Sequence, residues 1–192
     1  NTYGMLFYSK YPIHNAEVKY LVEDEIPSID CQIELPSGQL VQVYAVHPTP
    51  PVPNENPRST ERDKELLIVA EKAKECGLPV IVIGDLNDVA WSYTTELFLK
   101  MSELLDPRRG RGFYNTFHAK QPLMQFPLDH AFISADFKLR ELKKLDNYNS
   151  DHFPIFVHIQ FEKNAEEEQE DNQLEASQED KEMAAEKRNA DT

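Results

Sequence analysis

Asp85 and Asn87 stand two residues apart in Val80-Ile-Val-Ile-Gly-Asp-Leu-Asn-Asp88, a pair suited to act on one small target. A carboxylate can take a proton from water, and an amide can donate hydrogen bonds to a developing oxyanion without adding charge. The apolar run before them reads as a buried strand that ends at Gly84 and delivers both side chains into a loop. Gly, Asp and Asn also serve simply to turn a chain, so the pair needs companions.

The companions lie at other strand ends. His47 closes the strand expected over residues 40–46, Asp129 and His130 open the one over 128–134, and Asp151 and His152 precede the one over 153–161. If these termini meet at one edge of a sheet, carboxylates, imidazoles and one amide gather there. Carboxylates suit a hard cation such as Mg²⁺, and an Asp behind an imidazole fixes its tautomer and favours its protonated form. Such a set fits metal-assisted attack of water on a phosphoester. A zinc site fits less well, because no His-x-x-x-His or Cys-x-x-Cys spacing occurs, and no Gly-x-Ser-x-Gly elbow supports a serine nucleophile.

The elements that must position these groups follow from patterning. Strands are expected over residues 3–9, 16–22, 29–35, 40–46, 79–84, 128–134, 137–145 and 153–161. Pro36-Ser37-Gly38 turns 29–35 into 40–46 as a hairpin. Residues 47–57 hold five prolines and form neither helix nor central strand. Leu66, Leu67, Val69, Ala70 and Ala73 recur at helical spacing within 59–74, and Gly77 and Pro79 stop that helix. A second helix is expected over 93–101, followed by a flexible basic loop, Pro107-Arg-Arg-Gly-Arg-Gly112. In that loop Arg108, Arg109 and Arg111 read more readily as solvated side chains than as phosphate contacts. Many strands and few helices indicate an α+β protein with helices on the outer faces.

At 192 residues the chain holds one domain and a tail. Residues 162–192 carry twelve acidic and four basic side chains, so −8 of the net −14 lies there. With Leu174 and Met183 as its main large apolar residues, this segment is expected to be disordered or a solvated helix. The remainder shows no excess of basic residues, which disfavours tight, sequence-independent binding of long duplexes. Cys31 and Cys76 are expected as free thiols. No apolar run reaches the roughly 18 residues of a membrane span.

In order along the chain, five segments resemble the endonuclease/exonuclease/phosphatase superfamily. They are Tyr3-Gly-Met-Leu-Phe-Tyr-Ser9-Lys10-Tyr-Pro-Ile13, Val43-Tyr-Ala-Val-His47, Ile83-Gly-Asp85-Leu-Asn87-Asp88, Pro127-Leu-Asp129-His130-Ala-Phe-Ile-Ser134 and Ser150-Asp151-His152-Phe-Pro154. Ser-Asp-His-x-Pro after Gly-Asp-x-Asn is a specific combination, and the resemblance covers residues 1–161. Trp91, the 106–113 segment and Thr116-Phe117 resemble an uncharacterised bacterial branch, whose members often carry membrane helices before the catalytic domain. The resemblance implies a DNase I-like four-layer α/β/β/α sandwich. It also implies a phosphoesterase dependent on Mg²⁺ (or Mn²⁺). Asp85 would orient or deprotonate water, Asn87 would bond the phosphoryl oxygens, and His47 would contact the scissile phosphate. His152 would bind the phosphate with Asp129 holding its ring, and Asp151, with Asp85, would hold the metal. His130 is secondary and Asp88 supports from behind.

The family pattern begins with a strand bearing an Asn, then a helix and a strand ending in a metal-binding Glu, all before the Tyr-Gly-Met strand. The chain is therefore expected to lack its first strands and a helix, and to expose an edge prone to self-association. Three functions stay open: a metal-dependent phosphoesterase or nuclease, a non-catalytic fragment binding a phosphorylated ligand or protein, and a structural acidic-tailed module. DNA, RNA, a phospholipid head group and an inositol phosphate present the same phosphoryl chemistry. Compartment is open, including tethering by an upstream membrane segment.

Overall fold

A computed structural model describes residues 4–51, 59–121 and 123–190. Its main sheet has the order β1 (Ile13–Lys19), β2 (Ser28–Glu34), β3 (Leu40–Ala45), β4 (Val80–Asp85), β5 (Asp129–Ile133). β3 and β4 run parallel, joined by the crossover helix α1 (Thr60–Glu75), and the other neighbours are antiparallel. α2 (Tyr93–Ser102) follows β4, and β6 (Phe137–Lys144) pairs with β7 (Ile155–Phe161) as a second, two-stranded sheet. The architecture is the expected α+β, DNase I-like one.

Strand alternation builds the layers. Val80, Val82 and Phe132 turn to one face and pack with Leu66, Val69 and Ala70 of α1 and Phe98 of α2. Val41, Ile81 and Ile133 turn to the other face and meet Phe137, Ile159 and Phe161 of the second sheet. α1 carries Glu61 and Asp63 in its first turn and Lys72 and Lys74 in its last, each matching the helix dipole. The Ser92 hydroxyl caps α2 by accepting from the Thr95 N–H.

Two expectations change. The strand over 3–9 lies partly outside the described residues. From Gly4 to Ser9 the chain forms no ladder, and Leu6 and Tyr8 are 82% and 84% exposed. Its apolar side chains have no paired strand to stack against among the described residues. The exposed edge strand β1 instead begins at Ile13 and is kinked by a bulge at Asn15 (φ 50°), a device that blunts edge pairing.

The acidic tail is folded, not disordered. It forms α3 (Ala165–Gln169), a 3₁₀ turn (Glu170–Asn172) and α4 (Gln178–Arg188), with a Ser177/Asp180 capping box. Ala184 is buried between Leu67 of α1 and Leu97 of α2, with Met183 against them. The Lys187 Nζ donates to the buried Asp63 carboxylate at 2.6 Å, and Lys100 meets Asp180 at 3.3 Å. A narrow apolar stripe and specific ion pairs do what average composition could not signal. No helix is long and apolar enough to cross a membrane among the described residues.

One buried group opposes this packing. Glu65 on α1 is 2% exposed, and its Oε1 has no hydrogen-bond partner among the described residues. Burial, with Glu23 nearby, raises its pKa from 4.5 to about 7. The folded state therefore holds this proton more tightly than the unfolded chain. The resulting penalty grows as pH rises from the unfolded value to the folded one, reaching about 3 kcal/mol above it. Glu65→Gln should raise the melting temperature clearly at pH 8 and little at pH 5. A gain that does not widen with pH would show that Glu65 is not strained by its charge.

Candidate active site

Asp85 and Asp129 are register partners across the last rung of the β4–β5 ladder, so both carboxylates emerge at one end of the sheet. β4 reaches that rung only because Gly84 lets it pass close to β3. A Cβ there (φ 151°) would sit 1.8 Å from the Val46 carbonyl oxygen. His47 follows that strand, and its Nε2 lies 3.8 Å from Asp85 Oδ2.

His152 completes the group from the turn before β7. Its Nδ1–H donates to Asp129 Oδ2 at 2.7 Å, leaving Nε2 3.6 Å from Asp85 Oδ2. The Asp129 bond raises the imidazole pKa, helped by the charges of Asp85 and Asp151 and opposed by partial burial. Burial also raises Asp85, reinforced by Asp129, while the Asn87 N–H (2.9 Å) and both histidines pull it down. Ligand atoms of Asp85, Asp129 and His152 all lie within 4.8 Å of one another. Two like charges with an imidazole make a donor set that a divalent cation would relieve, so the residues fit a metal.

Asn87 adopts φ 49° and donates through Nδ2 to the Pro48 carbonyl at 2.9 Å, and its second amide hydrogen has no partner among the described residues. Its own carbonyl accepts from Arg62 of α1 at 2.8 Å. Asp88 turns inward, accepting from Ser92 and, at 3.1 Å, from Thr95 of α2. Asp151 is exposed and lies outside the three-residue group.

His130 is buried, and the structure gives it a supporting place. Its Nε2–H donates to the Asp88 carbonyl at 2.8 Å, and its Nδ1 accepts from Arg108 at 2.6 Å. Burial and the Arg108 charge push its pKa down to about 3, so the ring is neutral. Arg108 is likewise no solvated side chain. It is 5% exposed, gripping Asp106 and donating to the Asp129 carbonyl at 3.3 Å.

Sequence reasoning missed Thr116 and Phe117 as site supports. The fully buried Thr116 hydroxyl accepts from the Asp129 N–H at 3.2 Å, and the Phe117 ring packs on His152 with centroids 4.9 Å apart. Their one signal was a place in the family resemblance. Between the two sheets a cleft of about 450 Å³ is walled by Ile81, Ile83, Ile155 and Val157 and opens onto Asp85 and Asp129.

This arrangement and fold define a class. Residues 1–152 match the model of the Endonuclease/Exonuclease/phosphatase family, and the chain belongs to that family. No curated protein matches it. Among solved structures it is similar to an endonuclease/exonuclease/phosphatase family protein from Bacteroides thetaiotaomicron (22% identity, TM-score 0.61, covering 80% of this chain and 66% of that one). It is also similar to the human Nocturnin catalytic domain with bound sulfate (19%, TM-score 0.63, 79% and 60%). A third is D. rerio TDP2 complexed with single strand DNA product (18%, TM-score 0.61, 77% and 68%). The chain thus spans about two thirds of the length of these structures or less.

Gly84→Ala should force β3 and β4 apart and destabilise the protein by at least about 2 kcal/mol. Urea unfolding measures this, and a midpoint within error of wild type would mean that the Gly84–Val46 approach is not a constraint.

Proposed function

We propose that this protein is a divalent-metal-dependent phosphoesterase that hydrolyses a phosphate ester by in-line attack of water. The observation that carries the proposal is the Asp85–Asp129–His152 group, with ligand atoms within 4.8 Å at one sheet end. Family membership supports the reaction class.

Asp85 would accept the proton of the attacking water. Its raised pKa makes it a stronger base than an exposed carboxylate, and the Asn87 N–H on Oδ1 keeps Oδ2 turned toward the site. His152, held by Asp129 and biased toward its protonated form, would bond the phosphoryl oxygens as charge builds on them. His47 and the spare amide hydrogen of Asn87 would contact the same phosphate from the β3 and β4 ends. Asp85 and Asp129 would hold Mg²⁺ (or Mn²⁺), with Asp151 adding negative field from outside. Such an ion neutralises phosphate charge and lowers the pKa of bound water.

The test is hydrolysis of bis(p-nitrophenyl) phosphate by the full chain with Mg²⁺, with EDTA, and with Asp85→Asn. Asn keeps the acceptor for the Asn87 N–H while removing the base. The rate should vanish with EDTA and fall by about 10²- to 10⁴-fold in the variant. A variant as fast as wild type would remove Asp85 from the chemistry. A chain that binds phosphate without hydrolysing the ester would be a phosphoryl-binding fragment.

A further inference from the structure

The last helix of the chain reaches the loop after β4 through three polar links. Lys187 of α4 donates from Nζ to Asp63 Oδ2 at 2.6 Å. Oδ1 of the same carboxylate accepts from Arg62 through Nε at 3.1 Å and Nη2 at 2.8 Å. The remaining Arg62 nitrogen, Nη1, donates to the Asn87 carbonyl at 2.8 Å. Arg62 and Asp63 are both buried, so the relay runs where charges are weakly screened. Lys187 itself lies beyond residues 1–152, the part of the chain that matches the family.

The far end of the relay is the residue that orients Asp85. The Asn87 backbone is pinned on both sides: its N–H donates to Asp85 Oδ1 at 2.9 Å, and its carbonyl accepts from Arg62. Its φ of 49° is left-handed, a conformation that costs a residue with a side chain free energy and persists where neighbours enforce it. A shift of the Arg62 guanidinium therefore disturbs the residue that sets both Asp85 and the amide beside it.

Charge balance makes Lys187 necessary to this arrangement. Arg62 stands between two buried carboxylates, Asp63 and Asp88, with Asp88 Oδ1 3.5 Å from Nη1. One guanidinium cannot neutralise both, and among the described residues Lys187 is the other cation paired with Asp63. With Lys187 in place, Arg62 can extend Nη1 to the loop. Without it, Asp63 draws the guanidinium to itself and the Asn87 carbonyl loses its donor. The bond from His130 to the Asp88 carbonyl remains, so the loop loosens and does not collapse.

We infer that Lys187 is a positioning residue for the proposed hydrolysis, holding Asp63 so that Arg62 fixes the Asn87 backbone and with it the aim of Asp85. This rests on the phosphoesterase reading above and makes turnover depend on the docked C-terminal helix.

The full chain is assayed on bis(p-nitrophenyl) phosphate with Mg²⁺ beside three variants. Lys187→Met keeps the apolar stem without the charge, Lys187→Arg keeps the charge, and Arg188→Met removes the neighbouring ion pair of α4 with Glu71. All are compared at a temperature where circular dichroism shows them folded. Lys187→Met should lower kcat roughly 2- to 30-fold, with a smaller change in KM. Lys187→Arg should recover most of the rate, and Arg188→Met should stay near wild type. In the absence of substrate, the Asn87 side-chain amide signal in a ¹⁵N–¹H spectrum should move in Lys187→Met and not in Arg188→Met. Should Lys187→Met fail to fold, Lys187→Gln, which keeps a donor for Asp63 without the charge, takes its place.

A wild-type kcat in Lys187→Met, or no recovery in Lys187→Arg, would overturn the positioning role. An equal loss in Arg188→Met would do so too, because it would reduce Lys187 to a docking contact of α4. A wild-type chain that leaves the ester intact would remove the phosphoesterase reading alone. The relay is then decided by the Asn87 signal, and a signal unmoved in Lys187→Met would sink it.

Discussion

Two carboxylates face each other across one rung of a β ladder, and much of the site answers that repulsion. Asp85 and Asp129 are fixed opposite each other by backbone register, so neither can retreat without breaking the pairing of β4 and β5. The protein meets the stored charge locally: a peptide N–H on Asp85, an imidazolium-prone His152 on Asp129, and His47 across the opening. What remains is an acidic, partly buried pocket whose charge a cation or an arriving proton would relieve. A destabilising arrangement of this sort persists only where the surrounding fold over-determines it.

Much of that over-determination comes from α1. Arg62, only 7% exposed, grips Asp63 and donates to the Asn87 carbonyl, clamping the loop that carries Asp85 and Asn87. Asp63 in turn accepts from Thr94 of α2 and Lys187 of α4. Four segments thus converge on one buried ion pair. Breaking such a pair by removing one partner strands the other charge in the interior, which is why these networks hold geometry well even when they add little net stability. The acidic tail belongs to this system: it supplies a cation to a carboxylate that would otherwise be under-neutralised.

The elements that were legible were those whose periodicity is strong. β3, β4, α1 and α2 each show an unambiguous pattern of apolar residues and sharp stops, and their bounds fall within a residue or two of expectation. The tail was illegible because burial of Ala184 and Met183 depends on a tertiary slot between α1 and α2, and no local pattern encodes that slot. Arg108 was illegible for a similar reason. Three arginines among glycines look like solvent-facing charge, and only the folded chain reveals that one of them lies under Asp129 while its neighbours stay outside.

The two Asp-His dipeptides show how far residue type alone can carry a site. Asp129-His130 and Asp151-His152 have the same order and both lie at strand ends, yet they divide their roles oppositely. In the first, strand pleating sends Asp129 toward the site and His130 into the interior, where burial and the Arg108 charge keep it neutral. In the second, the turn puts His152 in the site and leaves Asp151 exposed. The site therefore takes one member from each pair, and the two chosen members bond to each other. A buried neutral imidazole and a partly exposed one biased toward its cation are two outcomes of one side chain. The difference lies in where the backbone places the ring: buried beside Arg108, or half-buried against the Asp129 carboxylate.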